Sequence, residues 1–140
     1  MTQTGTIKIV AALIRDDAGR VLLVRKRGTT AFMQPGGKRD PGEDDIAALA
    51  REITEELGCS MIRDSVQPLG EFSAIAANEP GWRVHACLYG IEVSGDIVPD
   101  REIDEMIWID PSAPSDIPLA PLTRDHVLPL AATGRVAGNA

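Results

Sequence analysis

Basic residues are scarce in this sequence of 140 residues, where 14 lysines and arginines stand against 21 acidic residues and give a net charge of −7. Proteins that bind nucleic-acid polymers usually carry a basic stripe that displaces counterions from the phosphates. The charge balance therefore argues against such a polymer as partner. An acidic protein can still bind a small phosphate compound if it recruits metal ions that offset the charge.

Long apolar runs and cysteines are also few. The apolar stretch from Ile9 to Ile14 is too short for the core of a signal peptide, and no segment is long enough to span a membrane. The two cysteines, Cys59 and Cys87, form no CxxC pair, and their apolar neighbourhoods are typical of buried, reduced thiols. We therefore expect a cytoplasmic protein without a membrane partner.

Aromatic residues make up only 4% of the chain, so valine, isoleucine, leucine and alanine must fill most of the interior. A chain of this length fits one domain and can bury a substantial core. We expect a single domain over residues 1–140. Its tail, from about residue 133, is expected to be disordered.

Strand-like and helix-like segments are mixed along the chain, which predicts the α/β class with a mixed sheet. Residues 7–14 and 21–24 are apolar and β-branched, and Asp16–Gly19 between them has turn chemistry, so they are expected to form a hairpin. Further segments follow: strands at 69–76, 82–93 and 106–109, and a closing helix at 122–128 that stops near Pro129.

The clearest helix is expected to begin near Pro41-Gly42-Glu43 and to end at Gly58, where glycine favours a left-handed cap. Its apolar residues recur at helical spacing and define one buried face: Ile46, Leu49, Ile53 and Leu57. Beside that face, Glu52, Glu55 and Glu56 are spaced i, i+3 and i+4 and project from one side. Such a group is either a solvated acidic face or a site for a hard cation such as Mg²⁺ or Mn²⁺.

The wider context favours the cation. The segment from Gly37 to Cys59 matches the pattern Gx5Ex7REUxEExGU, where U is aliphatic, and it resembles the Nudix box. All seven fixed positions are filled, and only Cys59 departs mildly from the usual aliphatic residue: Gly37, Glu43, Arg51, Glu52, Glu55, Glu56 and Gly58. The resemblance covers roughly residues 5–130 and implies the Nudix fold, an α/β/α sandwich around a mixed sheet.

The resemblance also implies roles for the box residues. Glu52, Glu55 and Glu56 would bind Mg²⁺ or Mn²⁺, together with a backbone carbonyl of the glycine loop, assigned to Gly37. Glu55 and Glu56 are thereby also catalytic candidates. Arg51 resembles the family's orienting arginine, which pairs with a box carboxylate; the alternative is a plain surface ion pair.

The general base is less settled. Members of the family place it outside the box or use a box glutamate. By resemblance around Trp108, Glu102 is the first candidate and Glu105 the second, and the alternative for either is a solvated loop carboxylate.

Candidate contacts to substrate lie before and within the box. They are Lys38, Arg25, Arg27 and Phe32. Lys38 could equally be a surface lysine, the two arginines could be ordinary residues at a strand end, and Phe32 could pack in the core.

The resemblance implies an enzyme that hydrolyses a phosphoanhydride bond in a nucleoside diphosphate linked to another group. Residues Ala74 to Ala76 do not carry the downstream markers of ADP-ribose or dinucleoside polyphosphate enzymes. A small nucleotide, and weakly a nucleoside triphosphate as in MutT, is thus the expected substrate. Alternatives are ADP-ribose or nucleotide-sugar cleavage and a non-catalytic nucleotide sensor. Dimers are frequent in the family, so a homodimer is a further expectation.

Overall fold

The structure is a computed structural model that describes residues 5–113 and 116–133. Within these ranges the chain forms strands and helices in the following order: β1 Thr6–Ile14, β2 Val21–Lys26, β3 Gly36–Gly37, α1 Asp45–Leu57, β4 Ser60–Met61, β5 Gln67–Ile75, β6 Arg83–Ile91, β7 Val93–Ser94, β8 Ile103–Ile109 and α2 Leu128–Ala132. A 3₁₀ turn at Arg63–Ser65 precedes β5, and a π-helical turn at Thr123–Val127 leads into α2.

The largest sheet is mixed and has the strand order β3-β1-β6-β5. Strands β1 and β6 run parallel along their whole length, from Thr6 opposite Arg83 to Ile14 opposite Ile91. Strand β5 is antiparallel to β6, and β3 is antiparallel to β1. Strands β2 and β8 form a separate antiparallel ribbon, and β4 pairs with β7.

The expected hairpin of β1 and β2 is wrong. Among the described residues, a single bridge between Arg15 and Val21 joins the end of β1 to β2, whereas β2 pairs with β8 along its length. The turn reverses the chain as expected. Strand β1 ends and strand β2 begins with a continuous apolar run, and such runs indicate burial on two faces rather than a particular partner.

Two hydrophobic cores lie on either side of the strands. The first core includes Leu49, Ile53 and Leu57 of α1, and the second includes Val127 and Leu128 of the terminal helical segment. Strand β2 contributes alternate residues to both cores, so the ribbon belongs to the same central layer as the sheet. The expected α/β/α sandwich around a mixed sheet is confirmed.

Helix α1 is bounded by residues with clear capping chemistry. The side chain of Asp44 accepts a hydrogen bond from the backbone N–H of Ala47, and Gly58 ends the helix with a φ of 67° while its N–H donates to Thr54. The predicted end is confirmed. The predicted start is a few residues early, since residues 41–42 form a turn in which Gly42 has a φ of 85°.

The terminal helical segment differs from its prediction. The π-helical turn begins at Thr123, and the following helix continues through Pro129 to Ala132 instead of stopping near the proline. Pro129 lies in the first turn of α2, where a missing N–H is tolerated. The tail expected to be disordered falls, beyond Thr133, outside the described residues. No helix within the described ranges is long and apolar enough to cross a membrane.

Candidate active site

Helix α1 presents its three clustered carboxylates in different environments. Glu56 is only 6% exposed, and its Oε1 accepts a hydrogen bond of 3.2 Å from the N–H of Gly36. The side chain of Glu52 is 15% exposed and that of Glu55 is 36% exposed. The helical spacing thus brings one carboxylate into the protein and leaves another at the surface.

The burial of Glu56 makes its charge costly. Burial, followed by repulsion from Glu52, raises the pKa of Glu56 to about 8. Lys26 lies close enough to act in the opposite direction on the same carboxyl. Two adjacent, poorly solvated carboxylates are an arrangement that a bound cation stabilises, so the donor chemistry fits a hard divalent ion.

The glycine loop approaches both β1 and α1 too closely for any side chain. A Cβ on Gly36 would lie 2.8 Å from Cα of Ala11, and the residue has a φ of 148°. A Cβ on Gly37 would lie 2.7 Å from Cδ of Glu52. Glycine is therefore required at position 36, where a side chain would meet the backbone of β1, whereas a side chain at position 37 would displace the carboxylate of Glu52.

Arg51 joins the glycine loop to the carboxylates. Its Nε and Nη2 donate to the two carboxylate oxygens of Glu43 at 2.8 and 2.9 Å. The same guanidinium donates to the carbonyl of Lys38 at 3.0 Å and to Glu52 at 3.3 Å, and it lies 3.6 Å from Glu55. Hydrogen bonds from Arg51 hold the pKa of Glu43 at about 2. Arg51 therefore fixes the orientation of the loop and of Glu52 together.

A cavity of about 370 Å³ opens beside these groups. One end carries charged side chains: Glu52, Glu56, Glu102, Lys26 and Lys38. The remainder is mostly apolar, with Ile7, Ile9, Ile75, Val84 and Leu122, and also includes the polar Asn78 and the charged Glu79. This volume suits a small-molecule ligand.

Glu102 reaches the cavity because its loop is docked on the end of α1. The N–H of Val98 donates to the carbonyl of Leu57, and that of Asp100 donates to the carbonyl of Glu56, both at 2.8 Å. These bonds use carbonyls that a helix end leaves without partners. Arg101 then has a φ of 57°, and Glu102 follows on the side of the metal-binding candidates.

The other predicted contacts are not brought to this cavity. Arg25 is bound by Asp104 and Glu105 on β8, at 2.8 and 2.7 Å. The exposed Arg27 donates its backbone N–H to the carbonyl of Glu102. Phe32 is buried in the second core. Of the four predicted substrate contacts, Lys38 alone lines the cavity.

Sequence reasoning missed several residues that line the cavity. Lys26 was not among the predicted contacts, although alternation along β2 places it on the face of Leu22 and Val24, which pack in the first core with α1. Gln34 is 6% exposed and accepts a hydrogen bond of 3.1 Å from Thr123. The glycine pair Gly36-Gly37, two residues after Gln34, was the sequence feature that could have placed Gln34 near the site. Asn78 lines the cavity from the turn between β5 and β6.

Comparison with known proteins decides the family. The family model described as NUDIX domain matches residues 6–131. The chain belongs to the Nudix family. It is therefore an enzyme, a pyrophosphohydrolase acting on nucleoside diphosphate-linked substrates, and Nudix hydrolases generally use divalent metal ions.

Two curated Nudix relatives are similar in sequence. The CTP pyrophosphohydrolase of Escherichia coli is 29% identical over 120 residues, which is 82% of this chain and 84% of that relative. The 8-oxo-dGTP diphosphatase of Haemophilus influenzae is 39% identical over 56 residues, 37% of this chain and 41% of that relative.

Solved Nudix structures share the fold over nearly the whole chain. The MutT NUDIX hydrolase from Burkholderia pseudomallei superposes with a TM-score of 0.72 at 26% identity and covers 94% of this chain and 98% of its own. The E. coli ORF135 protein gives a TM-score of 0.67 at 25% identity, over 91% of this chain and 87% of that one.

Proposed function

We propose that this Nudix enzyme is a Mg²⁺-dependent nucleoside triphosphate pyrophosphohydrolase, which converts a nucleoside triphosphate and water into a nucleoside monophosphate and pyrophosphate. The observation that carries the proposal is the pair of carboxylates, Glu52 and buried Glu56, at one end of a cavity of about 370 Å³ whose other end is apolar. The polyphosphate of such a substrate would lie at the charged end, where a metal ion can bind, and its base would lie at the apolar end.

Glu52, Glu55, Glu56 and the carbonyl of Gly37 are the proposed ligands of Mg²⁺. Oxygen donors suit this ion, and Mn²⁺ can replace it. When bound, the ion would offset the negative charge of the phosphates and polarise them toward attack by water. Arg51 orients Glu52 through its own bond to Glu43, so it acts by positioning a ligand.

Glu102 is the proposed general base. It lines the same cavity as Glu52 and Glu56, and the docking of its loop on α1 fixes its approach. In the reaction it would accept a proton from the attacking water as the new P–O bond forms. The phosphoanhydride bond breaks at the same phosphorus, and pyrophosphate leaves with the bonding electrons.

Two matched variants test the base. We expect Glu102→Gln to lower kcat by about 100-fold or more, because general-base catalysis typically contributes 10²–10⁴-fold, and Glu105→Gln to leave kcat within about twofold. Glu105 lies outside the cavity, in an ion pair with Arg25. Equal activity of the two variants would remove Glu102 from the mechanism.

Phosphate contacts are proposed for Lys38 and Lys26, which line the charged end of the cavity. Two lysines beside two carboxylates allow the site to bind a polyphosphate in spite of the acidic charge of the chain. Arg25, Arg27 and Phe32 receive no contact with the substrate in this proposal, because they do not line the cavity.

A nucleoside triphosphate is favoured as substrate by the two relatives, since CTP and 8-oxo-dGTP both belong to this class. ADP-ribose and nucleotide sugars are the competing substrates. They carry a second sugar group on the diphosphate, which would have to leave the cavity through its open side.

The proposal is tested by incubating the purified protein with Mg²⁺ and a panel of substrates: canonical and oxidised nucleoside triphosphates, ADP-ribose, nucleotide sugars and dinucleoside polyphosphates. Products are separated by anion-exchange chromatography. We expect pyrophosphate release from a triphosphate, dependent on Mg²⁺ and abolished by a chelator.

The variant Glu56→Gln should reduce turnover by roughly 100-fold, since a proposed ligand of the metal is lost. Glu92→Gln, which changes an exposed glutamate beyond β6, is the matched control and should retain activity. Faster cleavage of ADP-ribose than of every triphosphate would overturn the proposed substrate class, whereas full activity of Glu56→Gln would overturn the proposed site.

A further inference from the structure

A second group of metal-binding side chains lies on strands β5 and β6. His85 and Cys87 are two residues apart on β6 and therefore point to the same face. Glu71 of β5 is directly opposite Cys87 in the sheet register. The donor atoms of these three residues all lie within 4.8 Å of one another. The register of two strands thus assembles a nitrogen, a sulfur and an oxygen donor.

The histidine ring is already oriented for such a role. Oγ of Ser73, which is opposite His85 in the register, lies 2.9 Å from Nδ1, and Nε2 points to Oε1 of Glu71 at 2.8 Å. Metal-binding histidines almost always engage the other ring nitrogen in a hydrogen bond, which fixes the tautomer. Ser73 engages Nδ1, so an ion bound at Nε2 would replace the present contact of Nε2 with Glu71.

The group borders a small cavity of about 200 Å³ that is lined by different polar side chains from those of the active site. Asp45, the first residue of α1, also lines it, and after burial its charge raises the pKa of the Cys87 thiol. The Tyr89 hydroxyl donates to one oxygen of the Asp45 carboxylate at 2.6 Å, and Arg39 donates to the other at 3.1 Å. A second carboxylate is therefore fixed beside the thiol.

We propose that Glu71, His85 and Cys87 form a binding site for a Zn²⁺-type cation, separate from the Mg²⁺ site of the catalytic cavity. Thiolate and imidazole are ligands that Zn²⁺ prefers and Mg²⁺ does not. Water or Asp45 completes the tetrahedral set.

The donor set fits this assignment, although Lys8 and Arg39 also line the cavity. In a tetrahedral set with bonds of roughly 2.0–2.3 Å, two donor atoms lie about 3.3–3.8 Å apart. The donor atoms here lie within 4.8 Å of one another, so they must approach by up to about 1.5 Å, and the exposed side chain of Glu71 is free to rotate. The Cys87 thiol releases its proton to solvent on binding. The resulting thiolate and Glu71 together neutralise the two positive charges of the ion.

The site has a structural consequence, because its ligands come from two strands of the sheet and its neighbour Asp45 from the start of α1. A bound ion would link β5 to β6 at the half of the sheet where Glu71 and His85 are accessible to solvent. Binding of an ion to the folded state alone raises the melting temperature by mass action.

Cobalt(II) is the probe for the test, because a cobalt–thiolate bond has an intense charge-transfer absorption in the near ultraviolet. Chelator-treated full-length protein is titrated with Co²⁺ in a large excess of Mg²⁺, which occupies the carboxylate site. We expect a charge-transfer band that saturates near one equivalent and is removed by Zn²⁺. Cys87→Ser should abolish the band, and Ser73→Ala should weaken Co²⁺ binding about 10- to 100-fold.

Cys59→Val is the matched control, since Cys59 is the other cysteine and is buried in the first core; this variant should keep the band. His85→Gln provides a second ligand variant, and circular dichroism checks that each variant is folded. An absent band in the wild type, or an unchanged band in Cys87→Ser, would overturn the proposal. Neither result would bear on the proposed function, because the Mg²⁺-dependent activity is measured separately.

Discussion

At the scale of single residues, Arg51 determines how the charged end of the cavity is arranged. It donates to both carboxylate oxygens of Glu43, to the carbonyl of Lys38 and to Glu52. A planar guanidinium can make these bonds at once, whereas a lysine ammonium offers a compact charge that cannot form the same fork. Retaining the positive charge at this position is therefore not sufficient.

Arg51→Lys is expected to lower kcat by about 10- to 100-fold and to raise the Mg²⁺ concentration needed for half-maximal activity, because Glu52 loses its orienting partner. Steady-state kinetics over a Mg²⁺ titration measures both effects. Arg20→Lys, at a surface ion pair with Asp16, is the control and should behave like the wild type. An unchanged Mg²⁺ dependence in Arg51→Lys would show that the arginine does not position a metal ligand.

Residue identities in the box were predictable because the motif fixes both chemistry and spacing. The spacing of Glu52 and Glu56 on a helix also predicts that they share one side. Burial could not be read in this way: Glu56 is enclosed by the glycine loop, a contact between parts of the chain 20 residues apart. Lys26 and Gln34 were likewise missed, since Lys26 is one of three consecutive basic residues and Gln34 is held at the cavity by a contact with Thr123, 89 residues away.

At the scale of secondary-structure elements, the end of α1 supports the active site. Gly58 adopts a left-handed conformation. The carbonyls of Glu56 and Leu57, directly before it, accept hydrogen bonds from backbone N–H groups of the loop that carries Glu102. A Cβ at Gly58 would lie 3.5 Å from the carbonyl oxygen of Val98, which is ordinary contact. Any penalty for a side chain here comes from the backbone conformation.

Gly58→Ala is accordingly expected to lower the free energy of unfolding by about 1 kcal/mol, the cost of forcing an L-residue into this region. Urea denaturation measures the change, with an unchanged slope if the unfolded state is unaffected. Gly58→Asn should recover much of the loss, because asparagine tolerates the left-handed region. Equal destabilisation by both substitutions would indicate a steric cause instead.

Helix α1 was the best-predicted element, since its apolar period and its glycine cap are local signals. The strand pairing was less predictable. Turn residues at Asp16–Gly19 specify a reversal, but the choice of β8 as the partner of β2 depends on a segment about 80 residues later. When a strand is buried on both faces, its own sequence does not indicate which strand it pairs with.

At the scale of the whole molecule, stability should depend on pH through Glu56. Its pKa is raised to about 8 in the folded protein from the ordinary glutamate value of 4.5, so the folded state keeps a proton that the unfolded chain releases. The stabilising contribution is complete below the unfolded pKa and is lost as the pH rises through about 8.

In the presence of a chelator, the free energy of unfolding of the wild type should therefore fall between pH 5 and pH 8.5, by an amount on the order of a few kcal/mol. Glu56→Gln should lack most of this slope. Added Mg²⁺ should stabilise the wild type more at the upper end of the range, because it binds the ionised carboxylate. Parallel slopes in the two proteins would assign the pH dependence to other groups.

The two ends of the cavity are contributed by different stretches of chain. The glycine loop, α1, the end of β2 and the docked loop before β8 supply the charged end, whereas β1, the turn after β5 and the terminal helical segment supply most of the apolar lining. A substitution in the second set should therefore reshape the apolar part of the cavity without moving the carboxylates. The two parts can accordingly be engineered independently of each other.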